Sequence, residues 1–244
     1  MIRIIASKTA EEAGVNAAAV IAEIVKNKPD AVLGLATGSS PIGMYKELIA
    51  KYEKGELSFK NVKSVNLDEY VGLSADHDQS YAYFMSSNLF DHIDIDKKNT
   101  NLPNGLATDP AAEAKRYDSV IASMGGVDVQ VLGIGRNGHV GFNEPDSELV
   151  APTHLTALTA NTIEANSRFF ASENDVPKHA ITMGMGSIFK AKKIVIVASG
   201  ENKADAVAAM LCGNISTNCP ASLLCLHQDV ILVCDKAAYS KVAK

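Results

Sequence analysis

The chain has 244 residues, of which 47% are hydrophobic, so it can bury a full core as one large α/β domain or as two small domains. Its 23 basic and 28 acidic residues give a formal net charge of −5, and no block of like charge occurs along it. We therefore expect neither a nucleic-acid surface nor an anionic-membrane surface, although a few Lys or Arg could still bind a small anion.

The sequence also carries signals about location and redox state. The N-terminal stretch has no long apolar segment with a cleavage site, and no run of 18 apolar residues follows. This pattern predicts a cytoplasmic protein without membrane contact.

The four cysteines, Cys212, Cys219, Cys225 and Cys234, form no C-x-x-C pair. They are interpreted as buried or reduced thiols and not as a zinc site or disulfide framework.

Short β-branched runs alternate with longer amphipathic stretches along the whole chain. The predicted strands cover residues 2–5, 31–36, 62–67, 127–134, 193–199 and 229–234. The predicted helices cover residues 9–27, 41–54, 80–90, 109–124 and 202–211. Without an internal repeat or linker, this alternation predicts a single doubly wound α/β domain over residues 1–244. Its mostly parallel central sheet would have helices on both faces, as in Rossmann-like folds.

Small and hydroxylated residues follow the second predicted strand. Thr37, Gly38, Ser39 and Ser40 precede Pro41 and a predicted helix. Close backbone approach, free N–H groups at a helix start and three hydroxyls would together suit a phosphate. The Gly-Lys-Ser/Thr of a nucleotide triphosphate loop is missing. The alternative is an ordinary turn with a Ser N-cap and Pro at the first helical position.

Two adjacent carboxylates, Asp68 and Glu69, follow the third predicted strand. If strand geometry continues, their side chains point in opposite directions, so only one of them can face a ligand crevice. A carboxylate at the carboxyl end of a strand is suited to act as a general base. The alternative is a solvated charged turn.

The segment after the fourth predicted strand reads GIGRNGHVGFNEP. Gly133, Gly135 and Gly138 match the G-x-G-x-x-G spacing of a dinucleotide-binding turn. However, the residues that follow do not resemble a helix, and no acid occurs about 20 residues after the first glycine, where the ribose would be bound. A dinucleotide site is therefore disfavoured.

The same segment contains a group of acid-base side chains. His139 has an imidazole whose pKa is close enough to neutrality to take and return a proton. Glu144 could orient that ring or stabilise its cation, and Asn137 lies close by in sequence. A single loop histidine is more often structural, but its position after a strand in a polar, Gly-rich segment favours a catalytic role.

Two cations would complete a phosphate site if they converge on residues 37–41. Arg168 lies in a predicted helical stretch, and Lys203 follows the fifth predicted strand. Arg would bind phosphate through its planar fork and Lys as a point charge. The alternative for each is a solvated surface charge.

Six motifs occur in order through nearly the whole chain: ATGSSP, NLDEYVG, GIGRNGHVGFNEP, ANSRFF, ITMGMGSI and SGENKADAV. Together they resemble the glucosamine-6-phosphate deaminase family, in the form of its shorter bacterial members. The resemblance implies conversion of D-glucosamine 6-phosphate and water into D-fructose 6-phosphate and ammonia. It implies no metal and no other cofactor.

The resemblance also assigns roles to individual residues. Asp68 matches the base that enolises the open-chain sugar. His139 matches the base that opens the pyranose ring, assisted by Glu144 and by the residue at position 137. The residues that match the phosphate-binding positions are Thr37, Gly38, Ser39, Ser40, Arg168 and Lys203.

The chain departs from the allosteric members of that family at two places. Those members carry Asp at the position of Asn137, so we expect Asn137 to act by hydrogen bonding, with Glu144 as the ionic partner of His139. They also carry a basic pair where this chain has His154 and Thr156, and they have a longer C-terminal tail. We therefore expect no activation by N-acetylglucosamine 6-phosphate and favour a monomer over a homo-oligomer.

Two other functions fit parts of the pattern. A 6-phosphogluconolactonase shares the fold and a similar phosphate loop, but it hydrolyses an ester and has no need of an enolisation base such as Asp68. A sugar-phosphate sensor would be expected to carry a DNA-binding extension and could lose Asp68 or His139, whereas both residues are present here.

Overall fold

The computed structural model of the protein describes residues 2–159, 163, 170 and 175–242. A central sheet is built from seven strands: β1 (Arg3–Ser7), β2 (Val32–Leu35), β3 (Lys63–Asn66), β5 (Thr100–Asn101), β6 (Val129–Leu132), β9 (Lys193–Ala198) and β10 (Val230–Asp235). They lie side by side in the order β1-β10-β9-β6-β2-β3-β5, and neighbouring strands run parallel.

Helices cover both faces of this sheet. They are α1 (Ala10–Asn27), α2 (Ile42–Glu53), α3 (Tyr81–Asn88), α4 (Pro110–Ser123), α5 (Met185–Phe189) and α6 (Ala204–Leu211). The first three pack on the face that buries alternate strand residues such as Leu33 and Val131. The last three pack on the face that buries Leu132 and Ile196. The predicted doubly wound architecture with a mostly parallel sheet is therefore confirmed.

The helix starts show how local sequence fixes the boundaries. The side chains of Thr9, Ser80 and Asp109 each accept a hydrogen bond from a backbone N–H in the first turn of α1, α3 and α4. Helix α2 begins differently, because its N-cap residue is Pro41 and no side chain caps it. The Ser N-cap of the alternative interpretation is therefore absent, whereas Pro41 has helical φ and ψ and its carbonyl accepts the Tyr45 N–H at 2.9 Å.

A second, smaller sheet was not predicted. Its three antiparallel strands are β4 (Asp68–Tyr70), β7 (His154–Ala157) and β8 (His179–Thr182), in the order β4-β8-β7. A single residue, Leu67, separates β3 of the large sheet from β4. The Leu67 N–H donates to the Leu35 carbonyl at 3.1 Å, and its carbonyl accepts from the Met183 N–H at 2.7 Å. The first residue of β4 is therefore held at the carboxyl edge of the large sheet.

The described residues contain no helix of sufficient length and apolarity to cross a membrane. All four cysteines are free thiols. Within the same part of the chain, no group of three or more His, Cys, Asp or Glu side chains is arranged to hold a metal ion.

Candidate active site

The carboxyl ends of neighbouring parallel strands bring distant loops together. Strand β2 lies between β3 and β6, and β6 also pairs with β9. A methyl group on Gly133, just after β6, would lie 3.5 Å from Ser40 Oγ, just after β2. Lys203 Nζ, after β9, donates to the Ile134 carbonyl at 2.6 Å. Residues 37–41, residues 133–144 and Lys203 therefore meet at one edge of the sheet, while Arg168 lies outside the described residues.

Residues 37–41 form an open loop that leads into α2. Gly38 has φ of 83°, a conformation that favours glycine, and a side chain there would meet open space. Because no side chain caps α2, the N–H groups of Ile42, Gly43 and Met44 have no acceptor among the described residues. Unpaired N–H groups at a helix start carry partial positive charge and can bind an anion.

Lys203 places a cation beside this loop. It ends the 3-10 helix Glu201–Lys203, directly before α6. Its only described hydrogen-bond acceptor is the Ile134 carbonyl, and no described carboxylate pairs with it. Burial lowers the pKa of the Lys203 ammonium, and the nearby charge of Arg136 adds to this effect. A half-buried cation without a counter-ion favours an anionic ligand.

Asp68 lies at the start of β4, opposite Thr182 in β8. Its side chain is only 5% exposed, and none of the described residues donates a hydrogen bond to its carboxylate. Burial raises the pKa of Asp68 to about 8, and the neighbouring Glu69 carboxylate contributes to the rise. A carboxyl group with this pKa can both take and return a proton near neutrality.

Gly141 keeps space open next to Asp68. A methyl group on Gly141 would lie 3.0 Å from Thr182 Oγ1 and 3.3 Å from Asp68 Oδ2. Its φ of 59° also favours glycine. Glycine at position 141 therefore has both a steric and a conformational reason.

Glu69 points away from Asp68, as strand geometry predicts. Its carboxylate accepts the backbone N–H groups of Tyr70 and Tyr81 at 2.9 Å through Oε1, and that of Ala82 at 2.9 Å through Oε2. Burial raises the pKa of Glu69, while these three donors act in the opposite direction. Glu69 therefore anchors the start of α3, and Asp68 alone of the pair faces the loops at the sheet edge.

The imidazole of His139 packs directly on the backbone of Gly135. A methyl group on Gly135 would lie 2.3 Å from the His139 Cε1 atom, which is far inside contact distance. The turn is closed by two hydrogen bonds, from Gly135 N–H to the His139 carbonyl at 2.9 Å and from Gly138 N–H to the Gly135 carbonyl at 3.0 Å. Glycine at position 135 therefore serves to seat the His139 ring.

Glu144 lies against both His139 and Asn137. Its Oε2 atom is 3.2 Å from His139 Nδ1, close enough for an ion pair when the ring is protonated. The same Nδ1 is buried and makes no hydrogen bond to the described residues, so its contact with Glu144 is electrostatic. Asn137 Nδ2 donates to Glu144 Oε2 at 2.7 Å, and Asn137 Oδ1 accepts from the His139 backbone N–H at 3.2 Å. Asn137 thus bridges Glu144 and the His139 main chain without contacting the ring nitrogens.

Three residues near the site were not found from the sequence. Tyr81 hydrogen-bonds to Thr37 and lies 3.3 Å from the Tyr70 hydroxyl, and burial raises its pKa well above the usual value, so it remains a neutral donor. Thr182 Oγ1 accepts from the Phe142 N–H at 3.2 Å. Cys219 packs its sulfur against Gly138. Tyr81 lies in α3 and Thr182 lies in the second sheet. Their positions near the site depend on how these two elements pack, which no local sequence motif indicates.

Comparison with known proteins agrees with this arrangement. A family model described as glucosamine-6-phosphate isomerases/6-phosphogluconolactonase matches residues 6–233. A glucosamine-6-phosphate deaminase of Clostridium perfringens (strain 13 / Type A) is 59% identical over 97% of this chain and 98% of its own length. Another, from Thermoanaerobacter sp. (strain X514), is 52% identical over 98% of this chain and 95% of its own length.

Solved structures give the same relationship. One described as a monomeric glucosamine-6-phosphate deaminase has a TM-score of 0.95 and 46% identity, and the match covers 98% of this chain and all of that one. A 6-phosphogluconolactonase from Trypanosoma cruzi has a TM-score of 0.80 at 16% identity, over all of this chain and 98% of its own, and shares the fold. The chain belongs to the glucosamine-6-phosphate isomerase/6-phosphogluconolactonase family.

Proposed function

We propose that the protein is a glucosamine-6-phosphate deaminase, which converts D-glucosamine 6-phosphate and water into D-fructose 6-phosphate and ammonia. The observation that carries this proposal is Asp68, a buried carboxyl group with a pKa of about 8 beside the His139 loop at the sheet edge. Enolisation requires a base that removes the C2 proton and returns a proton at C1, and such a carboxyl group suits both steps.

The substrate phosphate binds at residues 37–41 and Lys203. Thr37, Gly38, Ser39 and Ser40 supply hydroxyl and backbone donors, and Lys203 supplies positive charge. We propose Arg168 as a further phosphate ligand by its match to the family motif alone. Phosphate binding at a distance from the reacting carbons provides binding energy that orients them against Asp68.

His139 opens the sugar ring. One proton leaves the anomeric hydroxyl and one reaches the ring oxygen, and a single imidazole can carry out both transfers. Glu144, 3.2 Å from Nδ1, stabilises the ring when it is protonated. Asn137 orients Glu144 through the 2.7 Å hydrogen bond between their side chains, and this bond does not require a charge at position 137.

Asp68 then acts on the open chain. Its carboxylate takes the proton from C2 to give an enolamine and delivers a proton to C1 to give an imine at C2. Water adds to the imine carbon, and ammonia leaves. Burial favours the neutral form of Asp68, which makes its carboxylate a stronger base toward the C2 proton and leaves a carboxylic acid that can donate a proton at C1.

Proposals on regulation, assembly and location rest on separate observations. His154 and Thr156 occupy β7 and offer no pair of basic side chains to an effector phosphate, which supports hyperbolic kinetics without activation by N-acetylglucosamine 6-phosphate. The structural relative at 46% identity is described as monomeric, which supports a monomer. We also propose a cytoplasmic location, because charged sugar phosphates do not cross a lipid bilayer unaided.

The deciding experiment measures ammonia and fructose 6-phosphate released from glucosamine 6-phosphate by the purified protein. We expect both products in equal amounts. A parallel assay with 6-phosphogluconolactone tests the other activity in the family description. Consumption of the lactone, with no ammonia released from the amino sugar, would overturn the proposal.

A further inference from the structure

The loop that carries Lys203 is held from the neighbouring strand. It joins β9 to α6 and contains Gly200, whose φ of 90° and ψ of 153° are accessible mainly to glycine. The Lys203 N–H donates to the Gly200 carbonyl at 3.1 Å. The position of the Lys203 backbone therefore depends on how Gly200 is fixed.

Asp235 fixes Gly200. It is the last residue of β10, which pairs with β9, and its side chain is buried at 6% exposure. The Gly200 N–H donates to Asp235 Oδ1 at 3.1 Å and to Oδ2 at 3.0 Å. Asp235 Oδ1 also accepts the Ala238 N–H at 2.7 Å. A buried carboxylate that receives donors from two separate loops joins them at a defined spacing.

The contacts form a chain from Asp235 to the sheet edge. The Asp235 carboxylate accepts the Gly200 N–H, and the Gly200 carbonyl accepts the Lys203 N–H. Lys203 Nζ in turn donates to the Ile134 carbonyl at 2.6 Å. The ammonium group is thus located at its tip by Ile134 and at its base by Asp235. Asp235 itself has no described contact with residues 37–41.

We propose that Asp235 is a positioning residue of the anion site, which sets the affinity for phosphate by holding the loop that presents Lys203. The inference rests on the proposed function in one respect, namely that Lys203 binds the substrate phosphate. Because Asp235 acts through the Lys203 loop, its removal weakens ground-state binding more than the chemical step.

The test measures the Kd of inorganic phosphate by calorimetry, together with KM and kcat for ammonia release. The variants are Asp235→Ala, Asp235→Asn, Lys203→Ala and the double variant with Ala at both positions. Asp229→Ala is the matched control, because Asp229 lies just before β10 at its opposite end and pairs with Lys193. Circular dichroism checks that each variant is folded.

We expect Asp235→Ala to raise the phosphate Kd and KM about tenfold with kcat within about twofold, the scale of one lost hydrogen bond to a charged group. Asp235→Asn keeps one acceptor oxygen, so we expect a rise of about threefold, and this variant decides the matter if the Ala variant does not fold. In the Lys203→Ala background the Asp235 substitution should add nothing to the phosphate Kd, because both act through the same cation.

Three outcomes separate this inference from the proposed function. Additive effects in the double variant, or a fall in kcat with KM and Kd unchanged, would overturn the role of Asp235. If Lys203→Ala leaves the phosphate Kd unchanged, both the Lys203 assignment and the inference fail. If the phosphate measurements follow the expected pattern but no ammonia is released, the inference holds and the deaminase proposal is wrong.

Discussion

The anion-binding part and the acid-base part of the candidate site are built on different kinds of backbone. Residues 37–41 and Lys203 follow β2 and β9, two parallel strands buried within the large sheet. Asp68 instead begins the three-residue antiparallel strand β4, and His139 lies in a turn without regular structure. The first part uses features that a doubly wound sheet supplies at its carboxyl edge, whereas the second depends on particular short-range contacts.

This difference predicts unequal sensitivity to substitution. Small changes in the acid-base part should reduce the rate strongly, because proton transfer requires close placement of the reacting groups. Changes in the anion-binding part should mainly weaken substrate binding, since several donors share the phosphate. Four predictions test this contrast, from the largest expected effect to the smallest.

Asp68→Asn should lower kcat by about a thousandfold or more, the scale of a lost general base. The phosphate Kd should stay within about twofold, because the amide fills the same volume away from the anion loop. Steady-state kinetics and calorimetry measure the two quantities. Asp91→Asn, at an exposed carboxylate paired with Lys97, is the matched control and should behave as wild type. Equal losses in kcat and in phosphate affinity would show that the two parts are not separate.

Gly135→Ala should lower kcat by about a hundredfold. The added methyl would displace the His139 ring, and a displacement of about 1 Å can reduce the rate by that factor. The clash is with His139 Cε1, 2.3 Å from the methyl position. Gly133→Ala, in the same loop, places its methyl at an ordinary 3.5 Å from Ser40 Oγ and should cost less than about fivefold. Comparable kcat losses in the two variants would contradict the seating of His139 on Gly135.

Asp68 should also make the stability of the protein depend on pH. Its folded-state pKa of about 8 is raised above the usual value for an unfolded chain, so the folded state binds the proton more tightly. The resulting destabilisation is absent near pH 4, grows as the pH rises toward 8 and is complete above it. Asp68→Asn should therefore raise the free energy of unfolding at pH 9 by about 2 kcal/mol or more.

Urea denaturation of wild type and Asp68→Asn at pH 5 and pH 9 measures this effect. The advantage of the variant should be larger at pH 9 than at pH 5. A constant difference between the two pH values would mean that Asp68 ionises in the folded protein as it does in the unfolded chain.

Lys203→Ala should raise KM about tenfold and leave kcat within about twofold, because a cation bound to a non-reacting phosphate contributes similarly to ground state and transition state. Lys241→Ala is the matched control, since Lys241 is exposed and pairs with Asp205 in α6. We expect no change in its KM. A fall in kcat for Lys203→Ala with KM unchanged would place this lysine in the chemistry and not in binding.

Much of the large sheet could be predicted from sequence because its inner strands β2, β6, β9 and β10 are buried on both faces. Such strands appear as continuous apolar runs, and all six predicted runs correspond to strands of the sheet. Three predicted helices also begin at the residues whose side chains cap α1, α3 and α4 in the structure, namely Thr9, Ser80 and Asp109. These signals are local in sequence, so they can be recognised without knowledge of the tertiary structure.

The second sheet escaped prediction because its strands lack a local signal. Strand β4 has three residues, two of them charged, and β7 is exposed at Leu155 and Ala157. Their pairing with β8 is settled by tertiary contacts, which outweigh weak strand propensity. The divergence of Asp68 from Glu69 was predicted by strand alternation, whereas the packing of His139 on Gly135 required the folded turn.

Leu67 has a consequence for the spacing between the two parts of the site. This single residue connects β3 to β4. Its main chain hydrogen-bonds to Leu35 in the large sheet and to Met183 at the end of the small sheet. These main-chain hydrogen bonds help to set the distance between residues 37–41 and the carboxyl group of Asp68. We predict that a sugar phosphate with one carbon fewer between its phosphate and its acidic C–H would place that C–H short of Asp68, so that chain length would act as a criterion of substrate selection.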